Sequence, residues 1–203
     1  MGIYEFAGCV VSYEPLYGLL RRRMETYRSD TERQPDITLD GTKEDYEKLR
    51  KQYPHLSIEE CEYSCAGAEF YMKLLKHQGF MIHASAVEKE GKAYLFSAPS
   101  GTGKSTHAQL WRQTFKGEPI RIINDDKPAV CLQNGVFYAC GTPFSGKTDK
   151  NENRKAPIQG LCMLHRGKTN KIQKITSGEA LPLILPQTLF YGDEEETNLL
   201  LSF

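Results

Sequence analysis

Apolar positions recur at spacings of three and four after residue 57. Ile58, Cys61, Cys65, Ala68, Met72 and Leu75 form one stripe, which predicts an amphipathic helix. Ser57-x-x-Glu60 is a capping-box pattern at its start, and Gly79 stops the run. From Phe80 the period changes to two. Residues 81–87 read as a strand, 88–91 as a turn and 92–97 as a second strand. A glycine-rich loop follows, then a helix from Lys104 to about Phe115 with Ala108, Trp111 and Phe115 on one face. Residues 121–124 form a short apolar strand that ends in Asp125-Asp126. Residues 128–133 and 136–140 flank Asn134-Gly135, a strong hairpin signal. Residues 157–165 and 171–175 predict another strand pair around a polar turn. The stretch 178–203 is helical in composition but interrupted by Pro182 and Pro186. Its last apolar run, Leu199-Leu200-Leu201, has no C-cap, which reads as a chain ending inside a helix.

The region before the first clear helix is different. Residues 21–51 are dense in charge with few apolar anchors. Ile37-Thr38-Leu39 predicts an edge strand, and 44–53 a short charged helix ended before Pro54. Residues 1–55 are therefore expected to be a small, weakly specified subregion, and 56–203 the main domain. Strands that come mostly from hairpins predict a mixed α/β class with a mixed sheet, not a doubly wound parallel one.

Composition narrows the function classes. The 203 residues carry 26 Lys plus Arg and 26 Asp plus Glu, so the formal net charge is zero. That balance argues against non-specific grip on nucleic acid or on acidic membranes. No apolar run approaches the ~18 residues of a membrane helix. Residues 1–11 contain Glu5 and lack a basic region, unlike a signal peptide. The six cysteines form no C-x-x-C pair, so neither zinc nor a thioredoxin-type site is suggested. The expectation is a cytoplasmic protein with buried or idle thiols.

Three segments carry chemistry. Ala98-Pro99-Ser100-Gly101-Thr102-Gly103-Lys104-Ser105 matches the phosphate loop G-x-x-x-x-G-K-[ST], except that Ala98 replaces the first Gly. Gly101 and Gly103 let backbone N–H groups turn toward phosphate oxygens, and the helix begun by Lys104 adds its dipole. Lys104 would reach the β- and γ-phosphates, and Ser105 would ligate Mg²⁺. The expected nucleotide-binding set runs from Ala98 through Thr106. The bland alternative is a glycine-rich turn. Asp125-Asp126 at a strand end can divide labour, with Asp125 toward Mg²⁺ or its waters and Asp126 toward an incoming hydroxyl. A turn that favours Asp is the other reading. Residues 141–154 read either as a solvated loop or as a second contact region. In the second case Lys147 meets phosphate, Glu152 ligates Mg²⁺ and Arg154 stabilises charge. His83 lies on the strand before the loop; alone, a strand histidine is more often a core residue.

In combination, His83, the loop ending Gly103-Lys104-Ser105, Asp125-Asp126 and Glu152-x-Arg154 resemble the catalytic domains of HPr kinase/phosphorylase. The wording IHASAV, APSGTGKSTHAQLW, INDDKP, GTPFSGK and NENRKAP is similar to HPr-kinase-like serine kinases. The resemblance covers about residues 80–170 and leaves out 1–55; the elements of that family that contact HPr are not recognisable. It implies a fold similar to phosphoenolpyruvate carboxykinase. It also implies Asp126 as the base toward a serine hydroxyl, Ser105 and Glu152 on Mg²⁺, and His83 lining the phosphate site. The expected activity is ATP- and Mg²⁺-dependent phosphorylation of a serine hydroxyl on a peptide, protein or small metabolite, by a monomer or a homo-oligomer. Its rivals are a nucleotide-binding module without transfer and a small-molecule enzyme similar to phosphoenolpyruvate carboxykinase.

Overall fold

The computed structural model describes residues 1–115, 117–189 and 193–202. The first part of the chain builds a three-stranded sheet. Its strands β1 (Gly2–Phe6), β2 (Cys9–Tyr13) and β3 (Ile37–Thr38) lie in that order, so 37–38 is an edge strand. Helices α1 (Gly18–Met24) and α2 (Lys43–Gln52) accompany it. Most of the few apolar side chains of 21–51 are buried, with Leu49 half-buried. Met24, Tyr27, Ile37, Leu39 and Tyr46 are all buried. Met24 and Tyr27 share one core with Phe6, Phe70, Tyr71 and Phe144, so the first 55 residues pack directly on later elements of the chain.

Helix α3 (Ile58–Leu75) starts with the expected capping box: Ser57 N–H donates to Glu60 Oε2 at 2.8 Å, and Glu60 N–H to Ser57 Oγ at 3.2 Å. Its buried face matches the predicted stripe only in part: Cys61 and Leu75 are buried as expected. Ala66, Phe70, Tyr71 and Leu74 face the core, while Cys65, Ala68 and Met72 are only half-buried. The helix is apolar on more than one side, and the face with the two aromatic rings removes more surface from water. Phe70 stacks at 4.7 Å from Phe6 and 5.7 Å from Phe144. Buried Glu62 ties α3 to the start of α1: it accepts from Tyr17 N–H at 3.1 Å and Leu16 N–H at 2.5 Å. The helix is followed by Gln78 in the left-handed region rather than by a glycine there; Gly79 opens the next strand.

The larger sheet has seven strands: β4 (Gly79–Met81), β5 (Ala84–Lys89), β6 (Lys92–Ser97), β7 (Arg121–Asn124), β8 (Ala129–Gln133), β9 (Val136–Cys140) and β10 (Lys155–Met163). Their order is β4-β8-β9-β10-β6-β5-β7, and only β10 and β6 run parallel. The class is mixed α/β with a mixed sheet. Asn134 and Gly135 both adopt positive φ in the β8–β9 hairpin, as an Asn-Gly turn requires. Helix α4 (Lys104–Thr114) lies on β5 and β6, with Trp111 against Phe96 at 5.3 Å.

The predicted strand over 81–87 is broken at Ile82-His83, and the break has a topological cause. Strands β4 and β5 stand toward opposite ends of the order, five places apart, yet only these two residues join them. Five spacings of a flat sheet span roughly 24 Å. Three peptide steps reach at most about 11 Å. The sheet must therefore curl until its ends approach.

The predicted strand at 171–175 does not form. Strand β10 pairs with β9 only over 155–157 and with β6 over 158–163, so 171–175 leaves the second edge of 158–163 without a strand, and Ile172 is 88 % exposed. The C-terminal part contains α5 (Ser177–Ile184) with Pro182 inside it, a 3₁₀ turn at Leu185–Gln187, and α6 (Glu194–Leu201). Helix α6 does have a C-cap, Ser202, whose N–H donates to Asn198 O at 3.1 Å. The expected chain end at Phe203 lies outside the described residues. Among the described residues no helix is long and apolar enough to cross a membrane.

Candidate active site

The chain crosses the seam of the curled sheet twice, at 82–83 between β4 and β5 and at 125–128 between β7 and β8. The two crossings run side by side. Ala84 N–H donates to Asp126 O at 3.1 Å and Ile82 N–H to Pro128 O at 3.3 Å. This pairing sets the His83 imidazole against Asp126, with Nε2 3.3 Å from Oδ1. The Lys127 ammonium donates to the other oxygen, Oδ2, at 2.6 Å. Burial pushes the Asp126 carboxyl up, but the His83 hydrogen bond and the Lys127 charge outweigh it. Together they hold Asp126 well below the usual carboxylate range, so it is ionised at neutral pH. Burial works against the Lys127 charge, and Tyr63 and Asp126 more than restore it. The other side of the imidazole meets the C-terminal turn. His83 Nδ1 lies 3.2 Å from Gln187 Oε1, and His83 N–H donates to Gln187 O at 2.7 Å.

Asn124 fixes the Asp125-Asp126-Lys127 turn. It is buried at the end of β7, and its Oδ1 accepts from Asp126 N–H at 2.9 Å and Lys127 N–H at 2.8 Å. Its Nδ2 donates to Thr142 O at 3.2 Å. Tyr71 of α3 donates its hydroxyl to Lys127 O at 2.5 Å. The turn is thus pinned from the sheet and from the helix.

Strand β6 delivers the glycine-rich loop to the same seam. Gly101 has φ +76° and Gly103 has φ +117° as the N-cap of α4, a region that side chains rarely adopt. A Cβ at either position would meet nothing within 4 Å, so the backbone there faces open space. Lys104 is 7 % exposed and donates from Nζ to Ala98 O at 3.0 Å. Burial pulls its ammonium below the usual range, opposed by the Asp126 charge. Pro99 O accepts from Thr102 N–H at 3.3 Å, which tightens the turn. Ser105 Oγ lies 3.5 Å from Asp125 O, and Thr106 is exposed on the first turn of α4. Ser100, Ser105, Asp125 and Asp126 line one cavity of about 640 Å³ together with His83, Lys127, Lys147 and Gln187.

Not every expected residue arrives there: of residues 98–106 only Ser100 and Ser105 line the cavity, and the Lys104 ammonium is turned onto Ala98 O. The Asp125 carboxylate lines the cavity but is taken by the neighbouring loop. Oδ1 accepts from Gly146 N–H at 2.8 Å, and Oδ2 accepts from the Thr148 hydroxyl. Asp125 therefore holds the loop bearing Lys147 rather than offering a free pair of oxygens to Mg²⁺. Glu152 and Arg154 are not brought to this cavity. Glu152 pairs with Arg121 at 3.4 Å and approaches Arg154 at 3.9 Å. Arg154 holds Glu88 of β5 through two contacts, Nε–Oε2 at 2.8 Å and Nη2–Oε1 at 3.1 Å. These opposite charges lie beside β5 and β7 and neutralise one another there. The residues missed are Asn124, Lys127, Thr148, Gln187 and Arg166, whose guanidinium donates to Gly101 O at 2.7 Å. Asn124 and Lys127 flank the Asp pair in the chain and were within reach of sequence reasoning. Gln187 lies 104 positions from His83 and had no local signal.

Among the described residues no group of three or more His, Cys, Asp or Glu side chains could hold a metal ion by itself. The donors at the cavity suit Mg²⁺ that arrives with a nucleotide, since that ion takes one or two protein oxygens and completes its shell with phosphate and water. Ser105 Oγ is a hard oxygen of that kind, whereas both Asp126 oxygens are engaged by His83 and Lys127. A scan against protein-family models gives no match to this chain, and neither does a search of curated proteins.

Proposed function

We propose that this protein is an ATP- and Mg²⁺-dependent kinase that transfers the γ-phosphoryl group to a serine hydroxyl, on a fold similar to phosphoenolpyruvate carboxykinase. The observation that carries the reading is the convergence of an ionised Asp126, held by His83, with Ser105 of the glycine-rich loop on one cavity. The resemblance of residues 80–170 to HPr-kinase-like serine kinases supports it.

On this reading each residue takes a role. The open backbone at Gly101 and Gly103 and the start of α4 bind the phosphates. Lys104 and Lys147 supply cations at the loop and at the facing wall. Mg²⁺, held by Ser105 Oγ, supplies neutralisation of phosphate charge when bound. Asp126 accepts the proton of the serine hydroxyl as its oxygen bonds to phosphorus and ADP leaves. Its lowered pKa makes it a weak base. That suits phosphoryl transfer, where orienting the hydroxyl and balancing charge matter more than proton removal. His83 keeps the carboxylate aimed, and Gln187 keeps His83 aimed.

The test is incubation with γ-labelled ATP, Mg²⁺ and serine-bearing peptides, proteins and metabolites. Label on a serine oxygen, lost in Asp126→Asn, is the expected result. Tight Mg-ATP binding with no transfer to any acceptor supports a nucleotide-binding module instead.

A further inference from the structure

The loop at 145–149 is gripped from two sides. On the cavity side, Asp125 takes the Gly146 N–H. On the far side stands Arg23 of α1, whose side chain is 10 % exposed. Its Nη1 donates to Ser145 O at 3.0 Å and its Nη2 to Gly146 O at 3.1 Å. Its Nε lies 3.1 Å from Asp149 Oδ1, close enough for charge pairing though without a hydrogen bond. The guanidinium lies 4.9 Å above the Tyr63 ring, and the Tyr63 hydroxyl donates to Ser145 O at 2.7 Å. One planar fork thus holds two successive carbonyls and a carboxylate, a pattern that only arginine can make. Gly146 has both of its backbone groups tied, one to Asp125 and one to Arg23. The next two residues, Lys147 and Thr148, are exposed on the cavity wall.

We infer that Arg23 is a positioning residue of the site, by which the N-terminal segment sets the place of Lys147 and Thr148. The inference rests on the reading of the cavity as a nucleotide site. It gives the first 55 residues a part in that site, although the serine-kinase resemblance does not extend to them. Lysine cannot replace Arg23, because one ammonium cannot span two carbonyls and Asp149 in a fixed plane.

The test uses the full chain with Arg23→Met, Arg23→Lys, Asp149→Ala and, as a packing control, Leu20→Val in the buried face of α1. Two quantities are read: amide exchange over 144–150 without nucleotide, and calorimetric affinity for Mg-ATP. Arg23→Met is expected to speed exchange in this loop at least about tenfold, the effect of one lost charged hydrogen bond. It should also weaken Mg-ATP several-fold, with no rescue by Arg23→Lys. Asp149→Ala, at an exposed position, should give a smaller change in the same direction and keeps the test open if Arg23→Met does not fold. Leu20→Val should lower the melting temperature and leave both readouts in place. Unchanged loop exchange in Arg23→Met and Asp149→Ala overturns the inference, as does a Leu20→Val that moves both readouts equally. If wild type itself fails to bind Mg-ATP, the kinase reading falls while the exchange arm still decides the role of Arg23.

Discussion

His83 Nε2 and Asp126 Oδ1 lie 3.3 Å apart because the curled sheet brings two of its connections side by side. Neither residue sits within a strand. Each occupies a crossing between the ends of the sheet, His83 between β4 and β5 and Asp126 in the bend between β7 and β8. Such a seam leaves side chains pointing into a cavity while the backbone stays hydrogen-bonded. The glycine-rich loop leaves β6, two places from the β7 edge, and reaches the same seam.

Asp126→Asn should lower transfer by about 10²–10⁴ while Mg-ATP still binds, because the amide keeps the size but cannot take a proton. The same change has a pH signature. Asp126 is held below its ordinary value of 3.8 in the folded state. Its ionised form thus contributes stability above that value, and the contribution is lost as pH falls through the lowered one. Urea unfolding followed from neutral to acid pH should therefore show a shallower acid-side loss in Asp126→Asn than in wild type. Equal slopes would mean that Asp126 gains nothing from His83 and Lys127.

Lys104→Met separates binding from folding. The ammonium is buried against Ala98 O and pulled below its usual range, so folding gains little from its charge. Mg-ATP affinity is expected to fall at least tenfold, about 1.4 kcal/mol or more. The melting temperature is expected to hold or rise, since a thioether of similar length fills the same space without a desolvated charge. Calorimetry showing wild-type affinity removes the phosphate-loop assignment.

Glu152→Gln should leave the Mg²⁺ requirement where it is. Its carboxylate faces Arg121 and Arg154, away from the cavity residues. Arg154→Met breaks the two contacts to Glu88 and should cost a few tenths to ~1 kcal/mol of stability, the range of partly exposed pairs. Neither should change the affinity for Mg-ATP. A Mg²⁺ titration shifted upward in Glu152→Gln would falsify this placement and restore the metal role that the chain order suggested.

Legibility tracked how local each signal was. The capping box at Ser57 and Glu60 and the Asn134-Gly135 hairpin are decided within a few residues, and both stand where the pattern puts them. The burial face of α3 is legible only in part, at Cys61 and Leu75, because its sequence supports two apolar faces, and the partners Phe6 and Phe144 choose between them. Residues 171–175 read as a strand from composition, but Ile172 and Ile175 stay exposed, so the segment buries no apolar face that would hold it on a sheet edge. In the site, the loop, Asp126, His83 and Lys147 were legible as residue types. Their meeting depends on the curl of the sheet, which no short window records. Glu152 and Arg154 carried no local sign of their actual partners, Arg121 and Glu88, which come from other strands.

Asn124 offers the sharpest test of how the turn is built. Its side chain is buried and uses both ends: Oδ1 accepts two backbone N–H groups, and Nδ2 points at Thr142 O, Thr142 Oγ1 and Phe144 O. Asn124→Asp keeps the shape and keeps Oδ1 as an acceptor. It turns the donor into a second acceptor facing two carbonyl oxygens that have no proton to give. It also buries a charge one residue from Asp125 and two from Asp126. Three effects then add in one direction: a lost donor, like-charge repulsion and desolvation. An unsatisfied buried polar group alone costs about 1–3 kcal/mol, and more when it is charged. The expected loss is at least ~3 kcal/mol at neutral pH. It should shrink at acid pH, where the introduced carboxyl takes up a proton and regains a donor. Urea midpoints at neutral and acid pH measure this directly. A variant as stable as wild type at neutral pH would show that the turn is held by Tyr71 and Thr142 without Asn124.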